Sequence, residues 1–311
     1  MPSGRPTAIG SRVPPTPRHS VPIARHMREV EAPAPEYVRP IEATFKPLLI
    51  PRGELAVTGL SDGELLNPSV CVHADKLVAI VRVLSHAKTY NFLGYINDAW
   101  ELAASREVKN LTACKSPYGF EDCRLFSRGG ALYASAAVLE THVAIVVVKF
   151  NGEGDLVEAQ MQRSPGRHEK NWMPVISNGR LWFIYSTEPI VRILSYDDVR
   201  QEVSPSPSTF TSQATYLRGG SQLQPFDDGF LSVVHQVHKQ PSIYLHRFVL
   251  FDRFLQVKKM SEPFYFRRKG IEFCAGLAHW RDKWVMSLGV ADKEAWLALV
   301  DDTVIRKTLE G

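Results

Sequence analysis

Gly119-Phe120-Glu121-Asp122-Cys123-Arg124-Leu125-Phe126-Ser127-Arg128-Gly129-Gly130-Ala131-Leu132-Tyr133-Ala134-Ser135-Ala136 holds one structural unit in miniature. A polar knot opens the stretch, an apolar run follows, and Gly129-Gly130 reverses the chain into a second apolar run. That order is a β-hairpin with a tight turn. It recurs along the chain. The other polar segments are Asn67-Pro68-Ser69, Lys170-Asn171-Trp172, Gly219-Gly220-Ser221-Gln222 and Glu272-Phe273-Cys274-Ala275-Gly276, about 50 residues apart. Each precedes a turn signal: His73-Ala74-Asp75, Ser177-Asn178-Gly179, Asp227-Asp228-Gly229 or Arg281-Asp282. The returning arms are rich in β-branched and aromatic residues, as in Leu77-Val78-Ala79-Ile80-Val81, Leu181-Trp182-Phe183-Ile184-Tyr185, Phe230-Leu231-Ser232-Val233-Val234 and Trp284-Val285-Met286-Ser287-Leu288, which favours strands. Third strands follow at Val143–Val148 and Ile243–Phe248.

Equal units of this kind, with few helical stretches, predict an all-β fold, a five-bladed β-propeller; a sandwich does not divide into five equal parts. The propeller is expected over residues 41–311. Residues 1–40, dense in Pro and Arg and without apolar periodicity, are expected to form a disordered arm. A strand within 41–64 is expected to close the ring against the last blade. Asp98–Ala104 is read as a helical turn and 198–215, with Pro205 and Pro207, as a loop.

The hydrophobic fraction of 44% and the charged fraction of 23% are those of ordinary globular proteins and exclude a wholly disordered or fibrous chain. The net charge of +4 is modest, and part of it lies in the arm, which argues against nucleic-acid binding. Cys71, Cys114, Cys123 and Cys274 are scattered without metal-ligand spacing, so neither a zinc site nor a disulfide framework is expected, and reduced thiols suit a cytoplasmic protein. No apolar run approaches the roughly 20 residues of a membrane span, and no secretory signal is expected. No cofactor is called for.

In a propeller the first strand of each unit runs along the central channel, so the five polar segments should meet at one mouth. The 119–126 segment is the most suggestive, because Glu121, Asp122 and Arg124 sit between apolar residues. Period-two alternation places Asp122 and Arg124 on one face and Glu121 and Cys123 on the other. Two readings fit the pair: an acid at a site, or an Asp–Arg bridge that pins one blade to the next. Lys170 and Asn171, following Arg163, Arg167, His168 and Glu169, suit a phosphate or an acidic donor group, or form a solvated basic loop. His235 ends an apolar strand, where a core histidine is commoner than a ligand. Asp292 follows a strand and would serve as a turn cap, while Arg267-Arg268-Lys269 reads as a solvated run. Trp172, Trp182, Trp280, Trp284 and Trp296 offer sugar-stacking faces or core.

At these residues the sequence resembles the β-mannoside phosphorylases and hydrolases of glycoside hydrolase family 130, and the related β-mannosyltransferases, all five-bladed propellers. The resemblance spans about residues 65–303. It rests on the Asn67-Pro68 opening, Gly119–Arg124 where the family has Glu-Asp-Pro-Arg, and Lys170-Asn171 followed by a Pro. His235, the Tyr244-to-Asp252 stretch, Phe273–Gly276 and the closing Gly289-Val290-Ala291-Asp292 complete the set. It implies Asp122 as general acid, acting on the glycosidic oxygen directly or through a sugar hydroxyl, with Glu121 and Arg124 beside it. Lys170, Asn171, His235 and Tyr244 would lie toward a phosphate or leaving group, and Asn67 and Asp292 toward a mannose.

Cys123 stands where the family has Pro, and Trp172-Met173-Pro174 is shorter than the family's apolar segment. These departures leave room for a transferase that uses a sugar phosphate or nucleotide sugar, with Asp122 as base toward an acceptor hydroxyl. The expectation is therefore an inverting glycosyl-transferring enzyme acting on a sugar or oligosaccharide, as mannoside phosphorylase or mannosyltransferase. Two alternatives are a non-catalytic carbohydrate-binding propeller and a hydrolase whose second acid is Glu169 or Glu272.

Overall fold

The computed structural model describes residues 34–311 except 87, 117, 140–141, 163–169, 187–190, 196–203, 207–216 and 240. Two short strands and a helix come first: β1 (Arg39–Pro40), β2 (Thr44–Pro47) and α1 (Arg52–Val57). Four antiparallel strands then form the first sheet, β3 (Glu64–His73), β4 (Lys76–Ser85), β5 (Lys88–Ile96) and β6 (Leu102–Glu107). The second sheet repeats the plan with β7 (Glu121–Arg128), β8 (Ala131–Leu139), β9 (Val143–Phe150) and β10 (Leu156–Met161), and the third with β11 (Met173–Ser177), β12 (Arg180–Ser186), β13 (Val191–Ser195) and β14 (Ser204–Ser206). The fourth is more elaborate, built from β15 (Leu217–Gly219), β16 (Gln224–Phe226), β17 (Gly229–His238), β18 (Ile243–Phe251), β19 (Val257–Met260) and β20 (Phe264–Tyr265), with β1 at its edge. The fifth comprises β21 (Glu272–Trp280), β22 (Lys283–Val290) and β23 (Glu294–Val300), completed by β2. Helix α2 (Asp302–Glu310) ends the chain.

All five opening hairpins have two-residue loops, at 74–75, 129–130, 178–179, 227–228 and 281–282. Ala74, Asp75, Asn178, Asp227 and Arg281 adopt positive φ there, as do Gly129, Gly130 and Gly179. Positive φ gives a two-residue turn the twist that matches its flanking strands. Contacts pass from sheet to sheet: β3 touches β7, β7 touches β11, β12 touches β15, β17 touches β21, and β21 returns to β3. Apolar side chains fill the spaces between neighbours, as where Phe248 and Phe266 meet Leu288 and Met286 and where Cys71 and Ile80 meet Leu125 and Val146.

The strand expected within 41–64 is β2, paired antiparallel with β23 from Thr44↔Leu299 to Pro47↔Trp296. Because β2 precedes the first sheet yet completes the fifth, it ties the two ends of the chain. Order also begins earlier than the arm's expected boundary, since Arg39–Pro40 pairs with Phe264–Tyr265. Two other expectations need correction. Asp98–Trp100 belongs to a turn closed by Asn97, whose side-chain carbonyl accepts the amides of Ala99 and Glu101, and Leu102 onward is strand β6. Within 198–215, Ser204–Ser206 pairs with β13, so Pro205 sits at a sheet edge, where its missing N–H is tolerated.

Candidate functional site

Three of the polar segments carry β-bulges; the one in 272–276 falls at Ala275, between Cys274↔Leu288 and Gly276↔Ser287, and the other two build the site. Leu66 faces Arg82 and Ser69 faces Ile80, so Asn67 and Pro68 together oppose one residue of β4. Likewise Glu121 faces Ala137 and Arg124 faces Ser135, leaving Asp122 and Cys123 opposite one residue of β8. The extra residue in each is left-handed, Asn67 at φ 36° and Asp122 at φ 49°, a conformation that Asn and Asp tolerate better than other side chains. Asn171 and Asp292 share it, at φ 64° and 53°. A Cβ on Gly289 would run into the Asn67 side-chain oxygen and lie 2.8 Å from its backbone nitrogen, so β22 must present a bare backbone there.

The bulge changes the expected faces. Strict alternation would separate Glu121 from Asp122; with the extra residue, both carboxylates reach one guanidinium. Arg82 Nη2 donates to Glu121 Oε1 and Nη1 to Asp122 Oδ1, each at 3.2 Å, while its Nε donates to Thr89 Oγ1. Asn67 Nδ2 donates to the same Asp122 oxygen at 2.8 Å. Lys170 Nζ lies 3.6 Å from Glu121 Oε2. The Asp122 side chain stays 14% exposed, so the carboxyl group is held firmly yet reaches solvent.

Arg124 is buried and tied to four of the five sheets. From β7 its Nε donates to Gly220 O at 2.5 Å, Nη2 to Asn171 Oδ1 at 3.1 Å and Nη1 to Asp122 O at 3.1 Å. Its guanidinium also lies over the Phe273 ring at 5.6 Å. Burial lowers its pKa to about 10, which still leaves it charged at neutral pH. Asp122 adds the first sheet through Asn67 and Arg82, so segments of all five sheets meet around these two residues. The adjoining 219–222 segment is sealed in: Gln222 Nε2 donates to Val70 O at 2.6 Å and Leu277 O at 2.9 Å, and Leu277 N donates to Gln222 Oε1 at 3.2 Å.

His235 and Tyr244 form a second group on the fourth sheet, stacked at 5.3 Å with planes 2° apart, and His235 meets the Phe273 edge at 5.2 Å. Burial holds His235 well below the usual histidine range, helped by the positive charges of Arg218 and Arg124. Burial also raises the Tyr244 phenol; Arg218 opposes that shift, and Asp292 and Asp122 add to it. Arg218, Asp292 and Asp122 therefore each lie within electrostatic reach of Tyr244. Asp292 itself is exposed, in the turn after β22.

Other sequence readings resolve differently. Glu272 is buried, and its carboxylate accepts the backbone N–H groups of Phe266, Arg267 and Arg268 at 2.8–3.1 Å, which makes it the anchor of that loop. Arg267 covers Trp296 at 3.4 Å, and Lys269 donates to the backbone oxygens of Pro35 and Glu36, so the basic run holds neighbouring segments. Trp172 and Trp284 are core residues. Arg163, Arg167, His168 and Glu169 lie outside the described residues. Arg82 and Arg218 escaped sequence reasoning. The signal for Arg82 was a single charge between Val81 and Val83 in an apolar strand. Two surface hollows, of about 470 Å³ beside Ile41 and Arg268 and about 550 Å³ beside Leu111 and Met161, include none of the site residues in their linings.

By sequence, no family model and no curated protein matches the chain. Solved structures do. The β-1,2-mannobiose phosphorylase of Listeria innocua, in complex with β-1,2-mannobiose, superposes with a TM-score of 0.61 at 15% identity, over 88% of this chain and 95% of that one. The fold is that of the family 130 mannoside phosphorylases. A mannose phosphorylase from Leishmania mexicana in complex with phosphate ion gives 0.58 at 12% identity, over 85% and 89% of the two chains. A putative glycoside hydrolase from Bacteroides ovatus gives 0.61 at 15% identity, over 80% and 89%. Among the described residues, no helix is long and apolar enough to cross a membrane.

Proposed function

We propose that this chain is an inverting mannosyl-transferring enzyme, a β-mannoside phosphorylase or a mannosyltransferase, whose five sheets are the blades of a propeller and whose Asp122 moves the proton. One observation carries the reading: a partly exposed carboxylate, clamped by Asn67 at 2.8 Å and Arg82 at 3.2 Å, stands where segments of all five sheets meet. The sheet-to-sheet contacts that return from β21 to β3 support the blade arrangement, with β2 as its closing strand. The shared fold with phosphorylases that bind mannobiose and phosphate supports the substrate class.

In phosphorolysis Asp122 gives its proton to the glycosidic oxygen while a phosphate oxygen attacks the anomeric carbon from the opposite face, yielding the free acceptor sugar and a mannosyl phosphate of inverted configuration. In synthesis the same carboxylate takes the proton of the acceptor hydroxyl as phosphate or a nucleoside diphosphate departs. One carboxylate suffices in either direction: in phosphorolysis the nucleophile is already an oxyanion, and in synthesis Asp122 is itself the base that activates the acceptor hydroxyl. A hydrolase needs a second carboxylate to activate water. Glu272 is spent on three backbone amides, which favours transfer over hydrolysis by that pair. Lys170, Tyr244 and Arg218 supply the polar and cationic groups for the anion, and Asn67 and Asp292 those for the mannose. Incubation with mannose 1-phosphate or GDP-mannose and sugar acceptors tests the reading: it requires a new mannoside with release of phosphate or nucleotide, and no turnover of either donor refutes it.

A further inference from the structure

Glu121 is poised differently from Asp122. Its carboxylate bridges two cations, Arg82 of β4 at 3.2 Å and Lys170, just ahead of β11, at 3.6 Å. Its side chain is 30% exposed and that of Lys170 44%, so this ion pair lies on the open side of the cluster. Arg82 is engaged through all three nitrogens, by Thr89, Asp122 and Glu121, and cannot turn to a ligand without releasing Asp122. Lys170 is joined to Glu121 by a long, partly solvated contact, the kind of ion pair that contributes little and opens easily.

We infer that Glu121 is a built-in stand-in for the substrate anion: its carboxylate occupies Lys170 in the free protein and yields it to a phosphate when the donor binds. The inference rests on the proposed function for the identity of the anion, but binding tests it without turnover. A carboxylate at that position repels an incoming phosphate as well as holding its lysine, so it lowers phosphate affinity and keeps the site from filling with stray anions. Glu121 acts through Lys170 and is a positioning residue; it takes no part in bond making. Neutralising it while keeping its shape should tighten anion binding, whereas a purely structural Glu121 would weaken anion binding when altered.

The test is calorimetric titration of the full chain with inorganic phosphate. Glu121→Gln is expected to bind phosphate about 5- to 10-fold more tightly than wild type, and Lys170→Met in the Glu121→Gln background is expected to abolish that gain. Glu121→Ala provides a second removal of the charge, and thermal unfolding of each variant confirms that the fold is kept. Unchanged or weaker phosphate binding in both Glu121 variants overturns the inference, as does a gain that survives Lys170→Met. Absence of phosphate binding in every variant overturns it too, while leaving the turnover of mannosyl donors to judge the proposed function separately.

Discussion

Replacing Gln222 by Leu should be among the most destabilising single changes in this protein. The side chain is fully buried and connects three sheets, accepting from Leu277 N and donating to Val70 O and Leu277 O. Leucine has nearly the same volume but leaves one backbone donor and two acceptors without these partners. An unpaired buried group costs roughly 1–3 kcal/mol, and the added apolar surface returns roughly 1.5–3 kcal/mol. Three such groups together cost roughly 3–9 kcal/mol, so the net loss is about 1.5–6 kcal/mol, against a total stability of roughly 5–15 kcal/mol for a folded domain. Urea unfolding reads it directly. With a slope near 3 kcal/mol/M, the upper range for small proteins and a modest one for this length, the midpoint should fall by about 0.5–2 M at unchanged slope. A midpoint within about 0.2 M of wild type would refute the claim that Gln222 joins the first, fourth and fifth sheets at the centre of the fold.

Gly289→Ala should lower turnover by about 10²-fold, because the new Cβ displaces the Asn67 backbone and with it the amide that holds Asp122; steady-state kinetics with a mannosyl donor checks this, and wild-type kcat in the variant contradicts it. Acid should destabilise the fold through His246, whose pKa burial lowers to about 3, and through His235, shifted in the same direction. Below the ordinary value near 6.5 the unfolded chain takes up protons that the folded chain refuses, so stability drops with pH by up to about 1.4 kcal/mol per unit for each group. Unfolding free energies measured from pH 7 to 5 should fall accordingly, and His246→Phe should flatten the dependence by one group's share. Equal slopes in the two proteins would count against a neutral, buried His246.

The repeat was legible because its signals are local: two-residue turns and period-two apolar arms are written within some twenty residues, and all five hairpins formed where the turn residues stood. A strand within 41–64 was expected to lie against the last unit, and β2 pairs there with β23. What stayed hidden depends on pairing across strands. Nothing in Glu121-Asp122-Cys123-Arg124 announces an extra residue, and only the partner strand, with Ala137 opposite Glu121 and Ser135 opposite Arg124, reveals the bulge that turns both carboxylates toward Arg82. Arg82 was overlooked for the same reason: its role comes from β7, forty residues away. The loop-anchoring task of Glu272 rests on backbone amides, which sequence does not display.

Asp122→Asn tests the central assignment most directly, since it keeps the shape of the side chain and removes only its ability to carry the proton. In wild-type protein that converts a mannosyl donor, the exchange should lower kcat by at least about 10²-fold while the folded state and substrate binding persist. A variant that turns over as fast as wild type would show that the proton moves through some other group.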